Sequence, residues 1–238
     1  MCGRFVVSQK VTDLTEVFDA ENDYDDWEPR FSLAPTDSVP IVRERADSAT
    51  GAFVRRVEPA VWSFHPSFMR DSKRPQFNSR IETVATNGLW KGAFASGRCI
   101  VPMHGYYEWT GEPGHKQAHF LRGPDDLLAA AGISTARKLD DGTWQVSTSI
   151  ITREARDASG EIHDRMPVYL PLDAVDRYLD PTKLDAGGMQ AMVDFLIEAS
   201  DHVAPTITEY EVDPRVNNHR RIDPTDPSLI EPLETSGS

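Results

Sequence analysis

The sequence predicts an α+β fold in a single compact domain, and three observations carry that prediction. Short strand-like runs recur along the chain, helical periodicity is confined to a few stretches, and no repeating strand–helix–strand order links them. Turn chemistry is spread evenly, with 17 Pro, 15 Gly and no low-complexity linker, so nothing divides the chain into two domains. At 39% hydrophobic residues, 238 residues can bury a full core without disulfide or metal staples.

Phe5–Val7 reads as the first strand, and Val11, Leu14, Val17 and Phe18 follow at helical spacing. Strands are expected at Val39–Val42 and Ala60–Trp62, then a short helix around Trp90. Apolar, β-branched runs at Cys99–Val101, Leu127–Ala131, Val146–Ile151 and Val168–Leu170 predict further strands. The clearest helix carries Met189, Met192, Val193, Leu196 and Ile197 on one stripe, a core face, with Gly187-Gly188 marking its start. A last strand is expected at Ile207–Val212. The tail from Asp223 is rich in Pro, Asp, Glu and Ser, so the domain is drawn over 1–233 with 234–238 as a mobile end.

Composition excludes several functions. The net charge of −13 argues against wrapping long stretches of nucleic acid, although Lys73-Arg74, Arg80, Arg98, Arg153, Arg156 and Arg165 leave room for a small basic cleft. No run approaches the roughly 20 apolar residues of a membrane helix. The start MCGRFVVSQK is neither a secretory signal nor, with Cys2 in place of Gly, a myristoylation site. A cytoplasmic monomer is expected, associated with the nucleoid when acting on DNA. In a reducing compartment the two cysteines, Cys2 and Cys99, stay thiols, and Cys99 in its apolar run is expected buried and inert. There is no phosphate loop, dinucleotide fingerprint or paired CxxC. His115 and His119 are four apart, but their GEPGHKQAH context is turn-like and offers no third ligand, so no metal and no cofactor is expected.

Four clusters can carry chemistry. A small residue after Met1 permits its removal, which would leave an amine and a thiol on Cys2. Their reference pKa values, about 7.7–8.0 and about 8.5, give both a nucleophilic fraction near neutrality. A 1,2-aminothiol condenses with an aldehyde to an imine and then closes a five-membered thiazolidine. The second cluster, Phe77-Asn78-Ser79-Arg80-Ile81-Glu82-Thr83, offers an amide and a guanidinium fork, and reads equally as a capped helix start. In the third, Val101 to Trp109, Glu108 follows an apolar strand where burial would raise its pKa, and Trp109 suits stacking on a base or packing in the core. In the fourth, Ile162-His163-Asp164-Arg165-Met166-Pro167, His163 is a proton shuttle or a loop histidine held by Asp164.

Taken in order, MCGRF, NSRIET, CIVPMHGYYEW and IHDRMPV resemble the SRAP family (SOS response-associated peptidase). Phe31-Ser32-Leu33-Ala34-Pro35, Trp62-Ser63-Phe64-His65-Pro66 and Val216-Asn217-Asn218 extend the resemblance from residue 2 to about 233. The resemblance implies a bent, barrel-like, mainly antiparallel sheet with peripheral helices and a groove for single-stranded DNA. It implies covalent capture of abasic sites through a thiazolidine on Cys2 as part of a DNA damage response, with self-processing peptidase and lyase-like imine chemistry. On the matching positions it makes Cys2 the nucleophile. Asn78 would hydrogen-bond the attached residue, Glu108 would assist Met1 removal and proton transfer, and His163 would protonate the sugar ring oxygen. Arg4, Arg80 and Arg165 would hold phosphates, with Thr152 and Trp109 nearby. Ser32, Ser63 and Phe68 depart from the usual Asn, Gly and Trp, which touches DNA contacts rather than the chemistry.

Three other readings stay open. Class II amidotransferases also begin Met-Cys-Gly, but here Arg4 follows and no synthetase domain fits; glutaminase activity would mark that N-terminal-nucleophile amidohydrolase. A cysteine-type peptidase acting on other proteins would turn over unrelated peptides. A non-catalytic DNA-binding or redox-sensing module would bind reversibly without Cys2.

Overall fold

The structure is a computed structural model that describes residues 3–47, 49–69, 76–112 and 114–234. Alternation in β1 (Phe5–Val7) sets the architecture, because its side chains enter two different cores. Phe5 and Val7 join the main core and Val6 joins a smaller one on the other face of the same sheet. Helix α1 (Val11–Phe18) buries Val11, Leu14 and Phe18, while Val17 stays exposed. A two-residue β2 (Glu21–Asn22), β3 (Arg30–Leu33), β4 (Ser38–Ala46) and the long β5 (Phe53–Trp62) follow. Then come β6 (Asn78–Arg80), two short helices, α2 (Ile81–Val84) and α3 (Lys91–Ser96), and β7 (Arg98–Met103) and β8 (Gly105–Thr110). The chain continues through β9 (Gln117–Arg122), β10 (Leu128–Lys138), β11 (Trp144–Glu154), β12 (Arg165–Pro167) and β13 (Tyr169–Leu170). It finishes with α4 (Val175–Leu179), α5 (Ala186–Val203) and β14 (Thr208–Val212).

Five strands in the order β14-β9-β8-β1-β3 make one sheet. The other runs β12-β11-β10-β7-β4-β5-β2, and its β11 also pairs β5, so β11, β10, β7, β4 and β5 close into a five-stranded barrel. That closing seam is parallel (Ser147 opposite Val61, Thr148 opposite Trp62), and β6 adds to β11 in parallel as well. All other pairings except that of β2 with β5 are antiparallel among the described residues. The expected α+β class with a bent, barrel-like sheet and peripheral helices is therefore what the chain forms. The sheets meet where β7 passes into β8 through His104. Gly105 is required there, because a Cβ would collide with Leu121 O and the Phe120 ring.

Each predicted strand and helix overlaps an observed element, although Leu127, Val168 and Ile207 lie one residue before β10, β13 and β14. The segment read as turn-like, residues 111–119, is a turn only to its middle: Gln117 to His119 belong to β9. Helix α5 starts at an Asp185 cap whose side chain accepts the Gly188 N–H at 2.7 Å, so the glycines sit inside its first turn. The mobile tail, apart from Glu234, lies outside the described residues. No helix among the described residues is long and apolar enough to cross a membrane.

The basic positions divide by burial. Arg98, 4% exposed, donates to Tyr178 O at 2.8 Å, Phe94 O at 3.1 Å, Ala95 O at 2.8 Å and Thr182 O at 3.1 Å, and also to Asp180 O. It serves the ends of α3 and α4, whose last carbonyls have no helical partner. Arg153 is also buried, donating to Ile197 O at 2.9 Å and pairing with Asp201 at 2.8 Å. Neither belongs to a basic cleft. Replacing Arg98 with Met keeps the stem and strips the carbonyls of their donor; denaturant unfolding should show a loss of about 3 kcal/mol.

Candidate active site

Strand β1 pairs antiparallel with β8, with Phe5 opposite Tyr106 and Val6 opposite Gly105. The Tyr107 N–H donates to Arg4 O at 2.9 Å, extending the ladder. Continuing this register sets Gly3 against Glu108. The expected nucleophile Cys2, together with Met1, lies outside the described residues.

Glu108 stands on the face of the sheet that carries Phe5 and Tyr106, and it is 3% exposed. Burial raises its carboxyl from the ordinary 4.5 to about 7. The positive amino terminus opposes that rise, while the carboxylates of Asp157 and Asp164 add to it. Asp157 is itself held by the Tyr106 hydroxyl at 2.6 Å and caps a short 3-10 turn, Ala158–Glu161. That turn leads to His163, so the His163 loop and β8 face one another across the site.

His163 is half-buried, and its Nδ1 has two competing partners. The Arg165 backbone N–H lies 3.1 Å away and needs a lone pair on Nδ1. The Asp164 carboxylate lies 2.9 Å away and needs a proton there. Neutral imidazole satisfies the first and keeps its proton on Nε2; imidazolium satisfies the second. Burial lowers the His163 pKa, the amino-terminal charge and Arg165 pull the same way, and Asp164 opposes them.

The far wall is β6 against β11, where Asn78 pairs with Ile150 and Arg80 with Thr152. Thr152 is fully buried and donates to Ser79 O at 3.1 Å, so it braces this wall from behind. Arg165 donates to Thr152 O at 2.6 Å and grips Glu82 with both arms of its fork, at 2.6 and 3.0 Å. Arg80 is exposed.

Arg4 and Trp109 lie on the opposite face of the five-stranded sheet. Arg4, 8% exposed, donates to Ser32 Oγ and Val216 O, each at 3.1 Å, and its guanidinium carbon sits 5.8 Å from the Trp109 ring centre. The Trp109 indole N–H donates to Asn217 Oδ1 at 2.6 Å, and the Asn217 amide donates in turn to Lys116 O at 2.8 Å. Apart from Cys2, which lies outside the described residues, the eight remaining expected site residues fall into three places. Glu108 and His163 flank the chain start, Asn78, Arg80, Thr152 and Arg165 form one wall, and Arg4 and Trp109 form a support behind Glu108. Asp157, Glu82 and Asn217 were given no role in the sequence reading. Asn217 and Glu82 each had a visible signal, their places in the Val216-Asn217-Asn218 and NSRIET motifs, whereas Asp157 had none. Ser32 does not lose the side chain that Arg4 needs, since its hydroxyl accepts.

Cys99 is fully buried, and burial pushes its thiol up to about 11, as an inert cysteine requires. Among the described residues no group of three or more His, Cys, Asp or Glu could hold a metal. His115 sits in the turn, and His119 is bound instead by Thr110 and Glu209, each at 2.9 Å.

A carboxyl with a raised pKa binds its proton more tightly in the folded than in the unfolded chain, so its cost appears as pH climbs from about 4.5 to about 7. Glu108→Gln should leave stability nearly unchanged at pH 4 and raise it by about 2 kcal/mol at pH 8, read from paired denaturant curves.

A model of the family described as SOS response associated peptidase (SRAP) matches residues 1–219. The abasic site processing protein YoqW of Bacillus subtilis is 26% identical, covering 97% of this chain and 99% of its own. The abasic site processing protein YedK of Escherichia coli is 30% identical, over 75% of this chain and 79% of its own. A crystal structure of a protein from Bacteroides thetaiotaomicron superposes with a TM-score of 0.77 at 19% identity, covering 97% and 99% of the two chains, which shows a shared fold. A two-sheet fold that sets Glu108 beside the start of the chain, with His163 facing it, thus coincides with a family match over most of its length, and the chain belongs to the SRAP family.

Proposed function

We propose that this protein captures abasic sites in single-stranded DNA as a covalent thiazolidine on Cys2, shielding the strand as part of a DNA damage response. The names of YoqW and YedK support action on abasic sites. The observation that carries the chemistry is Glu108: a buried carboxyl near pKa 7, which the β1–β8 register sets beside the start of the chain. Such a group holds a proton about half the time at neutral pH, so it can both accept and return one.

The steps follow from the chemistry of an aminothiol. Met1 is first released by hydrolysis of the Met1–Cys2 peptide bond, with Glu108 taking the proton of the attacking water. The abasic sugar rests mainly as a closed hemiacetal. His163, as imidazolium held by Asp164, protonates the ring oxygen and frees the C1′ aldehyde. The Cys2 amine then adds to C1′, and Glu108 protonates the departing hydroxyl, so that water leaves and the imine forms. The thiol adds to the imine carbon, its proton passing to nitrogen, and the thiazolidine closes. Closure diverts the imine from β-elimination and strand breakage. Asn78 hydrogen-bonds the captured residue.

DNA is held by few contacts. Exposed Arg80 meets a phosphate directly. Arg4 and Arg165 contribute positive potential from positions already engaged with protein oxygens, and Trp109 offers a half-exposed ring. With a net charge of −13, residence on DNA depends on the covalent step more than on electrostatics.

Mixing the protein with an oligonucleotide bearing one abasic site and running a denaturing gel tests the reading, with mass spectrometry reporting Met1. A heat-stable band that vanishes in Cys2→Ala is expected; its absence with Met1 gone sinks the proposal and favours glutaminase and peptidase assays. His163→Ala should slow trapping about 100-fold while leaving the final yield unchanged. Arg80→Ala should reduce the salt slope of reversible single-strand binding by about 0.7, one phosphate's worth.

A further inference from the structure

We infer that Glu82 is a positioning residue that aligns the proton donor His163 with the Asn78 wall by clasping Arg165. The inference rests on the proposed trapping reaction but concerns a residue to which that reaction assigns nothing.

The two halves of the site come from segments about 85 residues apart, and both also feed the main core, through Ile81 and Val84 on one side and Met166 on the other. Asn78 stands on β6, which has three residues and, among the described residues, pairs with β11 alone. His163 precedes β12, also three residues long and likewise paired with β11 alone among the described residues. Strands this short are weakly held by their ladders alone. Glu82, in the first turn of α2, directly follows β6, and both its oxygens accept from the Arg165 fork at 2.6 and 3.0 Å. The same guanidinium donates to Thr152 O at 2.6 Å, and Thr152 donates to Ser79 O at 3.1 Å. Glu82, Arg165, Thr152 and Ser79 thereby join β6, α2, β11 and β12 around the point where the site's two walls meet.

The clasp also reaches the histidine ring. Arg165 donates its backbone N–H to His163 Nδ1 at 3.1 Å, so fixing its side chain fixes the direction of that N–H. The Arg165 side chain is 11% exposed and Glu82 50% exposed. The acid closes the clasp from the solvent side, and removing it does not open the core. A bidentate arginine–carboxylate pair has this directional value even where its net stabilisation is small.

The experiment compares wild type, Glu82→Gln, Arg165→Gln and the double variant. Single-turnover trapping is read at saturating abasic single-stranded DNA, and reversible affinity uses the same strand with a tetrahydrofuran analogue, which has no aldehyde. In Glu82→Gln the trapping rate is expected to fall about tenfold with the analogue Kd within twofold. Once Arg165→Gln is present, Glu82→Gln should add no further loss. The 15N signals of the His163 ring should move in Glu82→Gln. Tighter analogue binding with a steeper salt slope would overturn the inference, showing Glu82 to be a stand-in for phosphate on Arg165. Unchanged rates and unchanged ring signals would overturn it as well. If wild type forms no adduct, the trapping reading fails by itself, and the ring signals still decide whether Glu82 orients His163.

Discussion

The structure depends on how the first strand is held. The ends of a chain ordinarily fray, because few contacts restrain them. Here β1 lies between β8 and β3, and its alternating side chains enter two cores, Phe5 on one side and Val6 on the other. Slipping by one residue would exchange those faces and bury Arg4 in the main core. The register opposite β8 is therefore fixed by packing on both sides, and Glu108 takes its place beside the start of the chain as a consequence.

Charge is distributed by the same logic. Arg98 serves carbonyls at the ends of α3 and α4, Arg153 ties the sheet to α5 through Ile197 O and Asp201, Arg4 supports the sheet behind Glu108, and Arg165 is clasped by Glu82. These are guanidiniums doing structural work inside an acidic molecule, and only Arg80 of the site's cations reaches solvent fully. The planar fork of arginine suits this use, since it can satisfy several fixed oxygens at once where an ammonium could not.

Much of this was legible in the sequence. Apolar runs located β1, β4, β7, β10, β11, β13, β14 and the end of β5, and the stripe from Met189 to Ile197 located α5, because burial on one face leaves a direct mark on residue choice; the short or polar strands β2, β3, β6, β8 and β12 carried no such run. The barrel closure was not legible from the residues: nothing in Val61-Trp62 or Ser147-Thr148 announces that they pair in parallel across 86 positions. The family resemblance supplied the barrel-like sheet instead. Strand β9 was half hidden because His119 and Gln117, polar but cross-strand paired, break the apolar pattern. The raised carboxyl of Glu108 was expected from its apolar neighbours. The roles of Asp157 and Glu82 were invisible, because each depends on a partner about 50 to 80 residues away. Arginines are ambiguous in a sequence for a related reason: a guanidinium under a helix end and one facing a phosphate have the same local context.

The support behind Glu108 has a consequence for the order in which the molecule becomes itself during synthesis. Arg4 leaves the ribosome among the first residues, yet the oxygen it binds belongs to Val216, and the amide that holds Trp109 belongs to Asn217. The barrel seam likewise waits for residues 147–148. A nascent chain therefore carries its terminal segment for most of translation with no site around it. Any chemistry that needs this site becomes available only once residues as far along as Asn217 have been made and these distant contacts have closed, which is the slowest part of such a topology.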